Sequence, residues 1–313
     1  MFRNSATQEE FIPGPIQKIN CDWGHDKLFM KRLDLIRSWA DGNKYYKLKE
    51  NIAYARAHNL KTIISKGGMF SNHLYSLAHA CAYFEMELIC AIRSYQADLE
   101  NPTIKELTSL SKDILFLDPE QYNKFGEADS SHAYPDSMFI AEGGLGERAI
   151  NGIKELMNEC IRDHPSHIIV SGGSMATACG LIASAPKDVK VIVVPAWKGC
   201  KNEFIENKLS EFGISPLCEW ELWPDAHFGG FAKYDRTLLD FMYSFTKETG
   251  IPLDPVYTGK MMYILSEKIK SGYFMDEDSI LAIHTGGLQG LRGFGYRYPQ
   301  DWKMYEELIF MND

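Results

Sequence analysis

The sequence lacks the features that mark secreted, zinc-binding and membrane-spanning chains. Its seven cysteines are an odd number without a Cys-x-x-Cys pair, which favours reduced thiols over a disulfide framework and argues against zinc. No run approaches the roughly 18 apolar residues that span a bilayer, and residues 1–5 contain no apolar signal-peptide core. We therefore expect a soluble cytoplasmic protein that holds no metal.

Positive charge is also in short supply. The chain has 33 lysines and arginines against 42 aspartates and glutamates, which gives a formal net charge of -9. This balance argues against general affinity for nucleic acid or an anionic membrane, because both attract basic surfaces. A phosphorylated ligand would have to be held by local backbone N–H groups and helix ends. The expected partner is therefore a small molecule bound at one site.

Repeats and low-complexity tracts are absent as well, and the remaining pattern is that of an α/β protein. The 313 residues are 45% hydrophobic, enough for one large or two moderate domains. Short apolar runs alternate with helix-like segments, which predicts α/β architecture. The predicted strands are residues 62–65, 88–92, 114–117, 168–170, 191–194 and 280–283.

Three segments refine this prediction. Residues 190–195 are nearly all apolar, which suits a parallel sheet covered on both faces. Residues 148–162 carry apolar side chains at helical spacing and predict an amphipathic core helix. Residues 121–137 are rich in Gly, Ser, Asp and Pro, and we interpret them as a long loop near a domain boundary.

Lys44 is the first candidate for chemistry. It lies between the small-residue turn Asp-Gly-Asn and a predicted helix, where a lysine can form a Schiff base. The amine must be neutral to attack an aldehyde, and burial beside cations such as Lys47 and Lys49 lowers a lysine pKa. Most lysines are exposed, so Lys44 taken alone would usually be interpreted as a solvated lysine at a helix start. Four further segments support the Schiff-base interpretation: residues 65–73, 171–180, 254–260 and 284–287.

The segment 65–73 follows a predicted strand and precedes a helix rich in Ala and Leu. Ser71 and Asn72 should lie at the mouth of that helix, above the carboxyl edge of the sheet, where open α/β sheets bind ligands. Either residue could simply cap the helix, but an amide there can also bind the phenolic oxygen of a cofactor. We interpret His73 and His79 as structural rather than metal ligands.

The segment 171–180, Ser-Gly-Gly-Ser-Met-Ala-Thr-Ala-Cys-Gly, joins a predicted strand to an apolar helix. Its small residues let successive backbone N–H groups converge on a phosphate at the helix N-terminus. The spacing is not the GxGxxG of dinucleotide folds, and the lysine of a P-loop is absent. A monophosphate is the expected ligand, although glycines in such turns also serve purely conformational needs.

The last two segments supply hydroxyl groups. Tyr257 is a candidate acid/base group over the substrate, Thr258 a candidate partner for a pyridine nitrogen, and Thr285 a second contact near the cofactor. Each could also belong to a plain turn or helix cap.

Taken together, from about Leu28 to Gly293, these segments resemble the 1-aminocyclopropane-1-carboxylate deaminase and D-cysteine desulfhydrase family of pyridoxal phosphate enzymes. The resemblance implies fold type II, of the tryptophan synthase β-subunit kind, with two open, twisted, mainly parallel sheets and helices on both faces. It also implies a large domain of residues 1–48 plus 151–313 and a small domain of residues 49–150, with pyridoxal 5'-phosphate between them. A homodimer acting on a small amino acid is expected.

The resemblance assigns roles residue by residue. Lys44 would carry the cofactor, although Asp41 stands where the family motif has its first glycine. Ser71 would approach the substrate carboxylate or Cα, and Asn72 the cofactor O3'. The segment Asp-Pro-Val-Tyr-Thr-Gly-Lys at 254–260 matches a family motif nearly letter for letter. The implied phosphate loop, in which Thr177 would donate its hydroxyl, consists of Gly173, Ser174, Met175, Ala176 and Thr177.

Two positions distinguish the branches of the family. The deaminase branch has an acidic residue where this chain has Thr258, and a neutral partner for the pyridine nitrogen suits β-elimination better. Phe231 falls where the family usually has a second active-site tyrosine, and Tyr234 is a poor substitute. The resemblance thus favours a desulfhydrase-like lyase, in which the released Lys44 removes the Cα proton and thiolate departs. The products would be an α-keto acid, ammonia and sulfide.

Three alternatives stay open at this point. The protein could be a 1-aminocyclopropane-1-carboxylate deaminase, or a pyridoxal phosphate-binding protein without efficient catalysis. An unrelated phosphate- or nucleotide-binding module is the third.

Overall fold

The computed structural model describes residues 11–310. The strands in this part of the chain form two sheets, of six and four strands. They are β1 (Ile16–Lys18), β2 (Leu28–Arg32), β3 (Thr62–Gly68), β4 (Glu87–Arg93), β5 (Asp113–Leu117), β6 (Ser137–Ile140), β7 (His167–Gly172), β8 (Lys190–Pro195), β9 (Trp220–Leu222) and β10 (Ile280–His284). Each of the predicted strands is present within these bounds.

The helices occupy most of the segments between strands. They are α1 (Asn43–Ala57), α2 (Asn72–Tyr83), α3 (Pro102–Leu110), α4 (Pro119–Lys124), α5 (Glu127–Ala133), α6 (Glu147–Cys160), α7 (Ala176–Ser184), α8 (Asn202–Glu211), α9 (Arg236–Thr249), α10 (Thr258–Lys270), α11 (Gly290–Arg297) and α12 (Pro299–Phe310). No helix in the described residues is long and apolar enough to cross a membrane.

The larger sheet has the strand order β1-β2-β10-β7-β8-β9. Only β1 runs antiparallel to its neighbour, and the other pairs are parallel. All five residues of β10 are buried, and only the first residue of β8 is not. These continuous apolar strands agree with the predicted parallel sheet.

Helices cover both faces of this sheet. Strand residues alternate between the faces, so Ile169 packs with α9 and α10 on one side while Ile168 and Val170 pack with α6, α7 and α8 on the other. Complete burial of such side chains contributes about 1.5–3 kcal/mol each. The predicted α/β architecture, a mainly parallel sheet with helices on both faces, is confirmed.

The smaller sheet has the order β5-β4-β3-β6, with all pairs parallel. Its strands lie between residues 62 and 140. Helix α1 contacts both apolar cores, because Tyr46 packs with the core of the larger sheet and Leu48 and Ile52 with that of the smaller sheet. The predicted domain limits at residues 48 and 150 therefore fall inside helices α1 and α6, and the division itself stays a prediction.

The prediction of a long loop over residues 121–137 is wrong. This segment contains the end of α4 and all of α5. Asp118 caps α4 reciprocally with Gln121, and Pro119 occupies the first turn, a combination that stabilises a short helix despite a turn-like composition. Strand β6 follows and pairs with β3, so the segment belongs within the smaller α/β unit.

Candidate active site

A cavity of about 860 Å³ lies where the two sheets approach each other. The carboxyl ends of β3, β7 and β10 lead into its walls, and α1, α2, α7 and α10 begin beside it. Of the predicted site residues, all except Thr258 line it: Lys44, Ser71, Asn72, Gly173, Ser174, Met175, Ala176, Thr177, Tyr257 and Thr285. Segments distant in sequence thus converge on one cavity.

Lys44 is positioned by a close contact between two turns. Gly42 precedes α1 with φ of 56°, and a side chain there would collide with the carbonyl oxygen of Thr285. The backbone N–H of Asn43 donates to this same carbonyl at 3.1 Å. Only glycine combines this backbone conformation with such an approach, so the turn holds Lys44 beside the end of β10.

The amine of Lys44 donates to Asn43 Oδ1 at 2.6 Å. Burial lowers the pKa of Lys44 to about 8, and the negative charges of Asp41 and Asp254 oppose that shift. Neutral amine is therefore far more abundant near pH 7 than for an ordinary lysine. This is the condition for a lysine that must act as a nucleophile or base.

The loop after β7 forms an anion cradle. Helix α7 begins at Ala176, directly after Met175, which has φ of 63°, and its first backbone N–H groups have no acceptor within the helix. The hydroxyl of Thr177 accepts from Asn43 Nδ2 at 2.9 Å, which ties the loop to the turn that carries Lys44. A phosphate fits this position because the helix dipole and free N–H groups favour an anion.

Lys47 brings a second buried amine to this cradle. Only 3% of its surface is exposed, and its Nζ lies 3.5 Å from Ser174 Oγ. Burial, then the charge of Lys44, holds the pKa of Lys47 well below its usual value. Among residues 11–310 no carboxylate pairs with it. An anionic group in the cradle would compensate this buried amine. The sequence alone indicates Lys47 only as a cation beside Lys44.

His73 also lines the cavity, although its sequence suggested a structural role. The hydroxyl of Ser65 donates to Ile140 O at 2.7 Å and lies 2.9 Å from His73 Nε2, so Nε2 is the protonated nitrogen. Burial and the charges of Lys47 and Lys44 hold the pKa of His73 well below its usual range. His73 is therefore neutral, and within the described residues its buried Nδ1 has no hydrogen-bond partner.

Ser71 and Asn72 lie at the N-terminus of helix α2, where both line the cavity. Ser71 Oγ accepts from the Leu74 N–H at 3.2 Å. Ser71 therefore caps α2, which was one of the two roles that the sequence allowed for it. Asn72 Oδ1 accepts from Gln289 Nε2 at 2.8 Å. A side chain added at Gly287 would reach within 2.6 Å of the Asn72 amide, so glycine keeps this amide accessible to a ring in the cavity.

Tyr257 lies against the phosphate loop. A Cβ added at Gly173 would be 2.9 Å from the tyrosine ring, which explains why the loop has glycine there. Burial, with the charges of Asp254 and Glu142, raises the pKa of Tyr257 above its usual value. The phenol therefore keeps its proton at neutral pH.

Thr258 lies behind the cavity wall. Its hydroxyl accepts from the Asp254 backbone N–H at 2.8 Å and donates to Asp254 Oδ2 at 2.6 Å. Its side chain has no exposed surface. Asp254, a residue to which the sequence alone assigns no role, lines the cavity instead. A contact from Thr258 to a pyridine nitrogen stays a prediction.

Phe231 stands over Tyr257. The two rings meet edge to face with centroids 6.0 Å apart, and 57% of the Phe231 surface is exposed. Tyr234 is directed elsewhere, because its hydroxyl donates to Asp301 at 2.7 Å and its ring packs on Phe294. The described structure thus offers an apolar ring, and not the hydroxyl of Tyr234, beside Tyr257.

The charged and aromatic residues around the outer cavity were not identified from sequence. They are Phe70, Arg93, Glu142, Trp197, Phe204, Lys208, Phe294, Arg297 and Tyr298. The position of Arg93 as the last residue of β4 was a usable signal, since strand carboxyl ends form ligand sites. The others carry no comparable local pattern.

Two relatives align with nearly the whole chain, while no family model matches it. A Pyrococcus abyssi protein named "Putative 1-aminocyclopropane-1-carboxylate deaminase" is 26% identical over 306 residues, covering 90% of this chain and 91% of the relative. The mitochondrial bifunctional D-cysteine desulfhydrase/1-aminocyclopropane-1-carboxylate deaminase of Arabidopsis thaliana is 27% identical over 311 residues, covering 90% of this chain and 77% of the relative.

Solved structures agree in fold. A crystal structure of an ACC deaminase homologue superposes with a TM-score of 0.81 at 23% identity, covering 93% of this chain and 94% of that chain. A pyridoxal 5'-phosphate-dependent aspartate racemase superposes with a TM-score of 0.56 at 12% identity, covering 83% and 84%. At these identities the structures bear on the fold alone.

The fold is that of fold type II pyridoxal phosphate enzymes, as predicted. The predicted cofactor, pyridoxal 5'-phosphate, is confirmed, and the cradle, the buried Lys47 and the half-buried Lys44 fit it. The predicted resemblance is confirmed in turn: over nine tenths of its length the chain is similar to relatives named as 1-aminocyclopropane-1-carboxylate deaminase and D-cysteine desulfhydrase.

Proposed function

We propose that this protein is a lyase of the D-cysteine desulfhydrase kind, which removes the Cα proton and the β-thiolate of a small amino acid. The reaction takes D-cysteine and water to an α-keto acid, ammonia and hydrogen sulfide. The observation that supports it is a half-buried lysine, Lys44, with a pKa of about 8, in a cavity shared with Ser71 and Tyr257. Base, carboxylate site and proton donor thus share one cavity.

Bound pyridoxal phosphate supplies an electron-withdrawing ring that makes the Cα proton of an attached amino acid acidic. The phosphate would be held by residues 173–177 and Lys47, and O3' by Asn72. Lys44 would attach the cofactor and, with its amine free, accept the Cα proton. Proton transfer by a positioned base of this kind contributes about 100- to 10,000-fold in rate.

The N-terminus of α2 is the proposed site for the substrate carboxylate. Ser71 and the first backbone N–H groups of this 12-residue helix face the cavity, and a helix N-terminus favours an anion. Tyr257 would then donate its proton to the departing sulfur, because its raised pKa keeps the phenol protonated. The enamine product hydrolyses in water to the keto acid and ammonia.

A second candidate, deamination of 1-aminocyclopropane-1-carboxylate, is favoured by the names of both relatives. Phe231 argues against it, because the ring beside Tyr257 lacks the hydroxyl expected at that position. Phe231→Tyr should therefore raise turnover of the cyclopropane substrate if ring opening needs that hydroxyl. Wild-type turnover of this substrate that exceeds turnover of D-cysteine would make deamination the better assignment.

The test is an assay of the purified holoenzyme with D-cysteine, L-cysteine and 1-aminocyclopropane-1-carboxylate. We expect sulfide, ammonia and keto acid in equal amounts from cysteine, most rapidly from the D-enantiomer. Lys44→Ala should abolish turnover, whereas Lys49→Ala, a nearby lysine paired with Glu155, should not. Cofactor binding without turnover of any of the three substrates would contradict the lyase and favour a pyridoxal phosphate-binding protein.

We also propose, as the family resemblance suggests, that the active form is a cytoplasmic homodimer. Sedimentation equilibrium tests the assembly, since the chain mass is 35.6 kDa and a dimer would have twice that mass.

A further inference from the structure

Lys260, the last residue of the Asp-Pro-Val-Tyr-Thr-Gly-Lys segment, has no part in the proposed chemistry, yet its side chain is completely buried. Its Nζ donates to three backbone carbonyls: Gly230 O at 2.8 Å, His227 O at 2.9 Å and Ala196 O at 3.2 Å. An ammonium group has three donors. The hydrogen-bonding capacity of this buried cation is therefore met entirely by main-chain oxygens.

Those carbonyls belong to two segments that contribute walls of the cavity. Ala196 O follows β8 and precedes Trp197, which lines the cavity, and Gly230 O precedes Phe231 and Ala232, which also line it. Lys260 itself lies in α10, three residues after Tyr257. One ammonium group thus connects the segment that bears Phe231 to the helix that follows Tyr257.

The segment 227–233 has an irregular backbone conformation. Its own hydrogen bonds, from Gly230 N–H to His227 O and from Lys233 N–H to Gly230 O, hold part of this conformation. Phe228, Gly229, Gly230 and Ala232 all have positive φ, of 48°, 90°, 136° and 53°. Positive φ is unfavourable for residues other than glycine, so the surrounding structure must hold this conformation. Lys260 supplies charge-assisted hydrogen bonds to two of its carbonyls, and such bonds are about twice as strong as neutral ones.

Burial lowers the pKa of Lys260 to about 8, and the charge of Asp254 opposes the shift. The side chain is accordingly mostly protonated at pH 7 and can make all three bonds. Methionine in its place would remove these three bonds, and His227 O and Gly230 O would retain only the neutral N–H donors of Gly230 and Lys233.

We propose that Lys260 is a positioning residue, which fixes the segment 227–233 so that Phe231 stands against Tyr257 and closes the substrate side of the cavity. It acts through Phe231 and touches neither substrate nor cofactor. The kinetic consequences rest on the proposed lyase function, while the effect on the segment itself does not.

The principal variant is Lys260→Met, with Lys260→Gln as a milder change that keeps part of the donor capacity. The matched control is Lys31→Met. Lys31 is also buried, with 4% of its surface exposed, and its amine donates to Gly14 O at 2.6 Å and pairs with Glu159 at 2.6 Å. It does not line the cavity, so its loss reports on stability alone.

Three quantities are measured on each holoenzyme: the melting temperature, the retained cofactor absorbance, and kcat and KM for D-cysteine. Lys260→Met should raise KM about 10-fold or more, since displacement of a site by about 1 Å can reduce rates about 100-fold. Cofactor retention should be unchanged. Lys31→Met should leave KM unaltered. If Lys260→Met also leaves KM unaltered and instead lowers the melting temperature and the cofactor content together, the positioning role is overturned.

Phe231→Ala provides a test that does not require a core substitution, because Phe231 is largely exposed. If Lys260 acts through this ring, Phe231→Ala alone should raise KM by a similar factor, and adding Lys260→Met should raise it little further. Independent, multiplying effects in this double-mutant cycle, or an unchanged KM for Phe231→Ala, would contradict the proposal.

A final readout is independent of activity. Lys233 is exposed at the end of the segment and offers a site for limited trypsin cleavage. Cleavage after Lys233 should be faster in Lys260→Met and unchanged in Lys31→Met. If D-cysteine is no substrate, the proposed function fails while this cleavage still decides the role of Lys260: equal rates in wild type and Lys260→Met would refute it.

Discussion

The side-chain amide of Asn43 donates a 2.9 Å hydrogen bond to the hydroxyl of Thr177, 134 residues further along the chain. The other atom of the same amide, Oδ1, accepts from the amine of Lys44 at 2.6 Å. One buried amide thus links the lysine that would carry the cofactor to the loop that would hold its phosphate. The two ends of the cofactor site are set relative to each other by Asn43.

Asn43→Ala should weaken cofactor binding more than it weakens the fold. Loss of the amide removes one partner each from Lys44 and Thr177, and an unsatisfied buried group costs about 1–3 kcal/mol. The measurement is the rate at which visible absorbance is lost on dialysis. Asn101→Ala is the control, because this buried residue caps α3 and should lower stability by about 1 kcal/mol without faster cofactor loss.

Reconstitution of the cofactor-free protein should depend on pH through Lys44. The folded-state pKa of about 8 lies below that of an ordinary lysine, and only the neutral amine attacks an aldehyde. The rate of incorporation should therefore rise as pH rises and level off above about pH 8. Stopped-flow absorbance after mixing with pyridoxal phosphate measures it, and a rate still rising steeply at pH 10 would show that Lys44 is not the lowered-pKa amine described above.

Thr258→Val should destabilise the wall of the site. The Thr258 hydroxyl both accepts from the Asp254 N–H and donates to Asp254 Oδ2, and valine can do neither in a position without solvent. We expect a loss of about 1–3 kcal/mol in the free energy of unfolding, measured by urea denaturation. Thr258→Ser retains the hydroxyl and should lose much less; equal losses in the two variants would mean that the methyl group, not the hydroxyl, matters.

The sequence predicted the inner strands well because they are continuous apolar runs. Strand β2 was not predicted, since its buried Lys31 and Arg32 interrupt the apolar pattern. Their charges are compensated by Glu159 and Asp34, which are partners that the sequence does not reveal. The short edge strands β1 and β9, of three residues each, have too few residues for a periodic signal.

The site was only partly predictable for a similar reason. Small-residue turns and the segment 254–260 identify the positions where helices begin beside strand ends, and those residues do converge. Lys47 and His73 could not be assigned, because a lysine or histidine becomes functional through its burial and its neighbours. The capping pair Asp118 and Gln121, by contrast, was a readable signal for α4 that the composition of residues 121–137 obscured.

The most direct test of the whole account is the visible absorbance of the purified protein before and after borohydride reduction, followed by peptide mapping of the pyridoxyl adduct. We predict a yellow protein whose band is removed by borohydride and whose adduct lies on Lys44. The neighbouring buried lysine, Lys47, is an internal control that should remain unmodified. An adduct on Lys47, or a colourless protein that pyridoxal phosphate cannot reconstitute, would contradict the account.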